Sequence, residues 1–222
     1  MDTQLKSAII LGATGLTGGL LVQLLLKDNR YGTIKLFSRT SLGIVHPKLK
    51  EFLGDIVELE SFRKDFTADE VFCCIGTTKA KTPNKKLYKK IDFGIPKKTA
   101  ELCKENKINT LIIISALGAN SKSRIFYNRI KGQMEDAVLE QQIPKTHILQ
   151  PSLIGGKREE KRIGEWIFKQ LMKAANLVLA GPLNKYKSIH PKIIARAMVW
   201  LANNEYDAVR IESDQIKRIE TL

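Results

Sequence analysis

Short runs of apolar residues alternate along this chain with stretches in which apolar residues recur every three or four positions. Unbroken runs are typical of strands buried on both faces, and the three-to-four spacing is typical of helices packed on one side. The runs predict strands at Ser7–Leu11, Thr33–Ser38, Lys50–Leu53, Glu70–Gly76, Thr110–Ser115, Lys145–Ser152 and Ala208–Ile211. The spacing predicts helices at Leu16–Lys27, Tyr88–Asn106, Arg124–Gln142, Ile163–Ala175 and Pro191–Asn203.

Repeated strand–helix alternation predicts the fold class. Parallel strands joined by right-handed helical crossovers form an α/β, doubly wound Rossmann fold, with a mostly parallel sheet and helices on both faces. A chain of 222 residues with 43% hydrophobic content is long enough for one domain, 1–222, with residues 152–190 as a small C-terminal substrate lobe or lid. In such sheets, ligands bind outside the carboxyl ends of the strands.

The location of the protein is predicted from what the chain lacks. No apolar stretch in the sequence reaches the roughly 20 residues that cross a bilayer. Residues 1–4 carry no basic-then-apolar secretory signal. We therefore expect a cytoplasmic protein with no membrane partner.

Three glycines follow the first predicted strand in the stretch "LGATGLTGG". Gly12, Gly15 and Gly18 are spaced G-x-x-G-x-x-G and open the first predicted helix. Glycine permits a sharp turn with positive φ, a close approach of the backbone to a diphosphate, and tight packing of the helix on the sheet. The amino end of that helix offers free N–H groups and partial positive charge to phosphates. The alternative is a plain structural turn.

The residues after the second strand bear on which dinucleotide would bind. Sites for NAD usually place a carboxylate there to bind the ribose 2′-OH, but this strand ends in Ser38-Arg39-Thr40. A guanidinium can bind a 2′-phosphate in bidentate fashion, so Arg39 favours NADP(H); the alternative is a solvent-facing arginine. Asp55, after the third strand, is placed to receive the adenine amino group. Gly76 and Thr77, after the fourth strand, are placed along the ribose and diphosphate.

Ser115, Tyr127 and Lys131 are the candidate catalytic residues. Ser115 ends the fifth strand, and Tyr127 and Lys131 lie four positions apart on the following helix, so they share one face. A nearby ammonium and a positive nicotinamide ring would lower the pKa of the phenol from about 10 towards neutral pH. Tyr127 could then exchange a proton with a carbonyl or alcohol oxygen that Ser115 binds. Otherwise the pair is an ordinary helix surface.

The net charge of +14 and the three cysteines add less. The densest basic run, Lys79 to Lys90, holds one aromatic residue. This run has three alternative interpretations: a solvated loop, a contribution to binding an anionic cofactor or substrate, or a surface that binds nucleic acid. The sequence supports the nucleic-acid surface least. Cys73, Cys74 and Cys103 show no metal-ligand spacing and are expected to be free thiols.

The stretches "GATGLTG", "CCIGTT" and "FYNRIKGQME", together with "SIHPKIIARAMVWLA", resemble the atypical short-chain dehydrogenases/reductases, within them the Tat-interacting-protein and NmrA-like group. The resemblance implies a Rossmann core, a Ser115–Tyr127–Lys131 triad and an acidic residue at Asp92. Lys131 would also anchor the nicotinamide ribose. The resemblance further implies NADP(H) contacts from Gly12, Thr14, Gly15, Leu16, Thr17, Arg39, Asp55, Cys74, Ile75, Gly76, Pro151, Ser152 and Leu153.

Three functions fit this reading. The first is an NADP(H)-dependent oxidoreductase that acts on a small carbonyl or alcohol. The second is an NADPH-binding, redox-sensing regulatory protein with little turnover. The third is a sugar-nucleotide epimerase-like enzyme. The helix around Trp166 and Met172 could cover the substrate or pack on a second copy of the chain or another protein, although an ordinary core face is the simpler interpretation.

Overall fold

The computed structural model describes residues 5–155 and 185–222. The predicted helix Ile163–Ala175 and most of the predicted lid region 152–190 lie outside the described residues. The strands are β1 Lys6–Leu11, β2 Tyr31–Ser38, β3 Leu49–Leu53, β4 Glu70–Cys73, β5 Thr110–Ile114, β6 Lys145–Gln150 and β7 Arg210–Glu212. The α-helices are α1 Leu16–Lys27, α2 Lys85–Lys89, α3 Ile95–Glu105, α4 Phe126–Leu139, α5 Pro191–Asn203 and α6 Ser213–Ile219.

The seven strands form one sheet in the order β3-β2-β1-β4-β5-β6-β7, and every pairing is parallel. The order reverses between β1 and β4, where the chain switches from one half of the sheet to the other. A crevice opens outside the carboxyl ends of the strands at such a switch point. The predicted doubly wound Rossmann fold is therefore confirmed, and the site is expected next to β1 and β4.

Alternating side chains of the strands divide the core into two layers. In β1, Ala8 and Ile10 belong to the cluster under α1, α5 and α6, whereas Ile9 and Leu11 belong to the cluster under α3 and α4. All four side chains are fully buried. Both faces of the sheet are covered, which explains why the strands read as unbroken apolar runs.

Several predicted boundaries are wrong. The fourth strand ends at Cys73 rather than Gly76, because residues 74–78 leave the sheet to line the crevice. The single predicted helix Tyr88–Asn106 begins earlier, at Lys85, and contains a π-helical turn at Lys90–Gly94 before α3. The predicted C-terminal tail contains helix α6, which begins with a capping box between Glu212 and Gln215. A 3-10 helix at Ile56–Phe62 has no counterpart in the prediction.

Two further expectations concern the state of the cysteines and the presence of membrane-spanning helices. Cys73 and Cys103 are buried, Cys74 is half-buried, and all three are free thiols as predicted. Across residues 5–155 and 185–222, each helix is too short or too polar to span a bilayer.

Candidate cofactor and active-site cleft

A cleft of about 870 Å³ opens at the carboxyl ends of β1, β4, β5 and β6. Its walls come from the start of α1, the segments after β4, β5 and β6, one face of α4, and the start of α6. The lining residues are Gly15, Leu16, Thr17, Cys74, Ile75, Gly76, Thr77, Thr78, Asp92, Ile114, Ser115, Ala116, Leu117, Gly118, Tyr127, Asn128, Lys131, Pro151, Ser152, Leu153, Ile154, Lys185, Tyr186 and Glu212. The three predicted catalytic residues therefore share one cleft with ten further predicted cofactor positions.

The amino end of α1 fits a diphosphate. Gly12 has φ +82°, and a Cβ there would lie 2.7 Å from the carbonyl oxygen of Cys74, so only glycine is accommodated. Gly15, the N-cap of α1, provides no side-chain hydrogen bond, and the first turn contains no acidic residue. The free N–H groups of that turn, at the wall formed by Gly15, Leu16 and Thr17, are left for an anionic ligand.

Five predicted cofactor residues lie outside the lining of the cleft: Gly12, Thr14, Ser38, Arg39 and Asp55. Gly12 lies under the turn, and Thr14 is exposed. The buried Ser38 hydroxyl donates to the carbonyl oxygen of Thr40 at 2.8 Å, and an Asp55 carboxylate oxygen accepts from the N–H of Val57 at 2.9 Å. Arg39 is exposed and, among the described residues, makes no hydrogen bond or ion pair. Its guanidinium is therefore available to a ligand beyond the end of β2.

A buried ion pair lies at the floor of the cleft. Lys131 Nζ lies 2.9 Å from Asp92 Oδ1, with both side chains almost fully buried. The other Asp92 oxygen accepts from the N–H of Thr77 at 2.8 Å. Burial opposes the charged form of Lys131, but the Asp92 carboxylate outweighs it and raises the pKa of Lys131. Asp92 thus holds the ammonium in place and ties it to the segment after β4.

Tyr127 opens onto the cleft with 41% of its surface exposed. Surrounding protein atoms raise the pKa of Tyr127, the Lys131 ammonium lowers it, and the Asp92 carboxylate raises it again. The net direction is upward. The neighbouring lysine therefore does not by itself bring the pKa of the phenol towards neutral pH, because burial outweighs it and the Asp92 carboxylate acts in the same direction as burial. At neutral pH, the Tyr127 phenol is protonated.

Ser115 is held by a residue that the sequence reading did not single out. Its hydroxyl donates to Oε1 of Glu135 at 2.5 Å, and both side chains are buried. Glu135 follows Lys131 by four residues on α4, so it lies on the same face of the helix. That spacing is the signal in the sequence that could have identified Glu135.

The far wall of the cleft combines predicted and unpredicted residues. The Ser152 hydroxyl donates to the carbonyl oxygen of Lys187 at 2.5 Å and shares a hydrogen bond of 2.9 Å with Ser213. Lys185 pairs with Glu212 at 3.0 Å beside it. These contacts hold the Pro151–Leu153 segment against residues that follow the undescribed part of the chain. No local pattern in the sequence marks Lys185, Tyr186 or Glu212 for this position.

Comparisons with known proteins agree with this geometry. The chain matches the sequence profile of an NAD(P)H-binding family over residues 12–160. It is 32% identical over 207 residues to the mitochondrial protein FMP52 of Debaryomyces hansenii, covering 89% of this chain and 88% of that protein. It is 29% identical over 171 residues to the protein HTATIP2 of Rattus norvegicus, covering 75% and 70%.

Solved structures share the fold. MoeE5 in complex with UDP-glucose and NAD superposes with a TM-score of 0.68 at 14% identity, covering 97% of this chain and 81% of that one. WbmH of Bordetella bronchiseptica in complex with NAD⁺ gives a TM-score of 0.67 at 15% identity, covering 90% and 73%. At these identities, the likeness concerns the fold alone.

The expectation of a cytoplasmic protein is wrong. The FMP52 proteins of Debaryomyces hansenii and Candida albicans that match this chain are named as mitochondrial. The expectation rested on the lack of a secretory signal and of a long apolar stretch. Those features bear on secretion and on membrane spans, and they do not distinguish the cytoplasm from the interior of an organelle.

Proposed function

Because the chain belongs to the NAD(P)H-binding family, in the atypical short-chain dehydrogenase/reductase group, we propose that it is an NADP(H)-dependent oxidoreductase that interconverts a small carbonyl compound and an alcohol. The observation that carries this proposal is the buried Asp92–Lys131 pair, which shares a cleft with Tyr127 and with the uncapped amino end of α1. A buried ion pair costs desolvation free energy. In this cleft, it would provide a fixed charge beside a phenol that can give up a proton.

The residues proposed to hold the cofactor follow the walls of the cleft from one end to the other. The amino end of α1 would bind the diphosphate, the segment after β4 the adjoining ribose, Lys131 the nicotinamide ribose, and the segment after β6 the ring. Arg39 would bind the 2′-phosphate, with Asp55 at the adenine, whereas the buried Ser38 hydroxyl already donates to Thr40. When bound, NADP(H) supplies or accepts the hydride. The set from the cleft is Gly15, Leu16, Thr17, Cys74, Ile75, Gly76, Thr77, Lys131, Pro151, Ser152 and Leu153.

Tyr127 is the proposed acid and base of the reaction. In reduction, its phenol gives a proton to the carbonyl oxygen, which suits a group whose pKa is raised. In oxidation, it must first lose that proton, and the positive charge of an oxidised nicotinamide would favour the phenolate. Lys131, fixed by Asp92, would hold the nicotinamide ribose beside the phenol.

A fluorescence titration with NADPH and NADH tests the cofactor assignment. We expect NADPH to bind more tightly, by roughly tenfold or more, since a charged hydrogen bond contributes about 1.5–3 kcal/mol. Arg39→Ala should remove the difference. Arg63→Ala, which changes an exposed arginine paired with Glu60 and Glu105, should retain it. Equal affinities of the unaltered protein for the two dinucleotides would contradict the assignment of Arg39.

A panel of aldehydes, ketones and quinones with NADPH tests turnover. Tyr127→Phe should lower the rate by about 100-fold or more, because it removes a positioned proton donor. The variant should bind NADPH as the parent does, which separates loss of chemistry from loss of fold. Turnover that is unchanged in Tyr127→Phe would remove the phenol from the mechanism.

A regulatory role is the second candidate, and one observation favours it. The Ser115 hydroxyl, which the resemblance assigns to the substrate, already donates to Glu135. A redox-sensing protein would bind NADPH tightly and show no hydride transfer with any member of the panel.

The third candidate is an epimerase-like reaction. It would require the nicotinamide cofactor to remain bound through a complete catalytic cycle.

A further inference from the structure

Glu135 is a buried carboxylate surrounded by donors. It is 2% exposed, on the helical turn after Lys131. Oε1 accepts from the Ser115 hydroxyl at 2.5 Å and from the Gln150 amide at 2.8 Å, and Oε2 accepts from Gln150 at 3.1 Å and from Arg210 Nε at 2.8 Å. An amide NH₂ and a guanidinium can only donate. Both carboxylate oxygens are therefore held as acceptors.

This arrangement fixes the direction of the hydrogen bond at Ser115. A serine hydroxyl has one proton and two lone pairs. Its proton points to Glu135, so the lone pairs are what Ser115 can offer to the cleft that it lines. A carbonyl oxygen is itself an acceptor and cannot pair with them. A ligand hydroxyl can, by donating to Oγ.

We infer that Glu135 is a positioning residue that makes Ser115 a hydrogen-bond acceptor, and that the substrate carries a hydroxyl group beside its reacting carbonyl. This inference rests on the proposed function and narrows its substrate class to α-hydroxy carbonyl compounds. The carbonyl oxygen would meet the Tyr127 phenol, and the neighbouring hydroxyl would donate to Ser115. Both side chains line the same cleft, so one substrate could contact both of them through two of its oxygen atoms.

The reaction balances with the cofactor of the proposed function. NADPH gives a hydride to the carbonyl carbon and becomes NADP⁺. The π bond of the carbonyl breaks, and its oxygen takes the Tyr127 proton, which solvent then replaces. The product is a vicinal diol. Glu135 and Ser115 end with the same protons with which they began, so their part is orientation of the substrate.

The test compares hydroxyacetone with butanone, in which a methyl group replaces the hydroxyl. With NADPH, we expect kcat/KM for hydroxyacetone to exceed that for butanone by about tenfold, as one additional hydrogen bond in the cleft would provide. Ser115→Ala should bring the two substrates to within about threefold of each other. Thr146→Val, which removes a buried hydroxyl bound to the Ile143 carbonyl outside the cleft, should retain the preference.

Glu135→Gln separates the acceptor role from a structural one. Its amide can donate to Oγ, which releases the Ser115 proton towards the cleft, so we expect the preference for hydroxyacetone to fall while butanone gains. A variant that is only structurally damaged would lose activity towards both ketones in the same proportion. Ser115→Ala, a smaller change, tests the same inference should Glu135→Gln fail to fold. Equal use of both substrates by the parent would overturn it, and would indicate that the Tyr127 phenol donates to Ser115 instead.

A binding measurement keeps this inference separate from the proposed function. Ligand-observed NMR on the NADPH-loaded protein should show hydroxyacetone bound more tightly than butanone, and Ser115→Ala should equalise them. If neither ketone is reduced but the binding preference holds, the proposed reaction fails and the acceptor role of Ser115 stands. If the ketones are reduced but bind and react alike, the acceptor role fails and the oxidoreductase stands.

Discussion

At the scale of single residues, the charge balance around Tyr127 depends on Asp92. The carboxylate holds Lys131 at 2.9 Å and also accepts from the N–H of Thr77 at 2.8 Å. It therefore offsets the positive charge that would otherwise act on the phenol. We therefore expect the protonation state of Tyr127 to respond to the charge of a bound nicotinamide ring, which differs between the two redox forms of the cofactor.

The titration of Tyr127 tests this balance. In the free protein, we expect the phenol to lose its proton above pH 10, because its pKa is raised. Saturation with NADP⁺ should lower that pKa, whereas NADPH, with its neutral ring, should leave it nearly unchanged. The measurement is the phenolate absorbance near 295 nm, taken as the difference between the parent and Tyr127→Phe. The same midpoint with both forms of the cofactor would show that the ring charge does not reach the phenol.

Asp92→Asn tests the contribution of the ion pair to stability. Removing one member of a buried pair leaves the other charge uncompensated, so we expect the free energy of unfolding to fall by about 3 kcal/mol at pH 7. Asp136→Asn, on the helix that carries Lys131, weakens the half-exposed pair with Arg210 and should cost less than about 1 kcal/mol. Urea unfolding of both variants provides the comparison. Equal losses would mean that burial of the Asp92 pair has no energetic consequence.

At the scale of elements, α4 is the part of the molecule on which the proposed chemistry depends. Its four-residue spacing brings Tyr127, Lys131 and Glu135 onto one face. The helix is seated against the preceding segment at Gly132, where a Cβ would lie 2.1 Å from the backbone nitrogen of Ser121. The position of the Tyr127 face therefore depends on a close contact between helix and loop backbones.

Gly132→Ala tests that contact. The added methyl group cannot fit without moving the 120–121 backbone, so we expect a loss of about 1–3 kcal/mol in the free energy of unfolding and weaker NADPH binding. The matched control is Gln133→Ala, one position further along α4 on a partly exposed side. It should change stability by less than about 0.5 kcal/mol. A fully stable Gly132→Ala variant would show that the loop backbone can yield.

The elements differ in how well the sequence predicts them. Helices α1 and Pro191–Asn203 match their predicted bounds, since glycine or proline marks the start of each and the apolar spacing gives its length. The sequence contains no local signal for the π-helical turn at Lys90–Gly94, which carries the Asp92 that pairs with Lys131 of α4. The sequence predicts an end of β4 that is too late, because the apolar run continues through Cys74 and Ile75 after the chain has left the sheet.

At the scale of the whole molecule, buried groups that remain neutral or paired should make stability depend on pH. Burial raises the pKa of the Cys73 thiol from 9.0 to about 11. The pKa values of Tyr127 and Lys131 are raised as well. A raised pKa in the folded state stabilises the fold fully below the unfolded value, and the contribution is lost as pH rises towards the folded value.

The free energy of unfolding should therefore fall above pH 9. Cys73 alone accounts for about 3 kcal/mol between pH 9 and 11, at roughly 1.4 kcal/mol per unit of pKa. Tyr127 and Lys131 add to the loss above pH 10. Urea unfolding at a series of pH values measures the slope, and Cys73→Ala should show a shallower one over the same range. A flat profile up to pH 11 would contradict the assigned directions.

The site as a whole was predicted in part. Parallel topology brings the segments after β1, β4, β5 and β6 to one edge, and the sequence alone could place Gly15, Ser115, Tyr127 and Lys131 there. The resemblance names Asp92, and the four-residue spacing on α4 could have marked Glu135. The contacts that these two carboxylates make could not be predicted, because they depend on side-chain packing between elements. The sequence predicts the positions of Arg39 and Asp55 from the strands that they follow, β2 and β3. The roles of both residues towards the cofactor remain predictions.

The most direct test of the account is a crystal structure of the protein with NADPH. We predict density for the diphosphate against residues 15–17 at the amino end of α1, the 2′-phosphate within hydrogen-bond distance of Arg39, and the nicotinamide ring beside Tyr127 and Lys131. An empty cleft at saturating NADPH, or a dinucleotide bound with its ring away from Tyr127, would contradict the central claim.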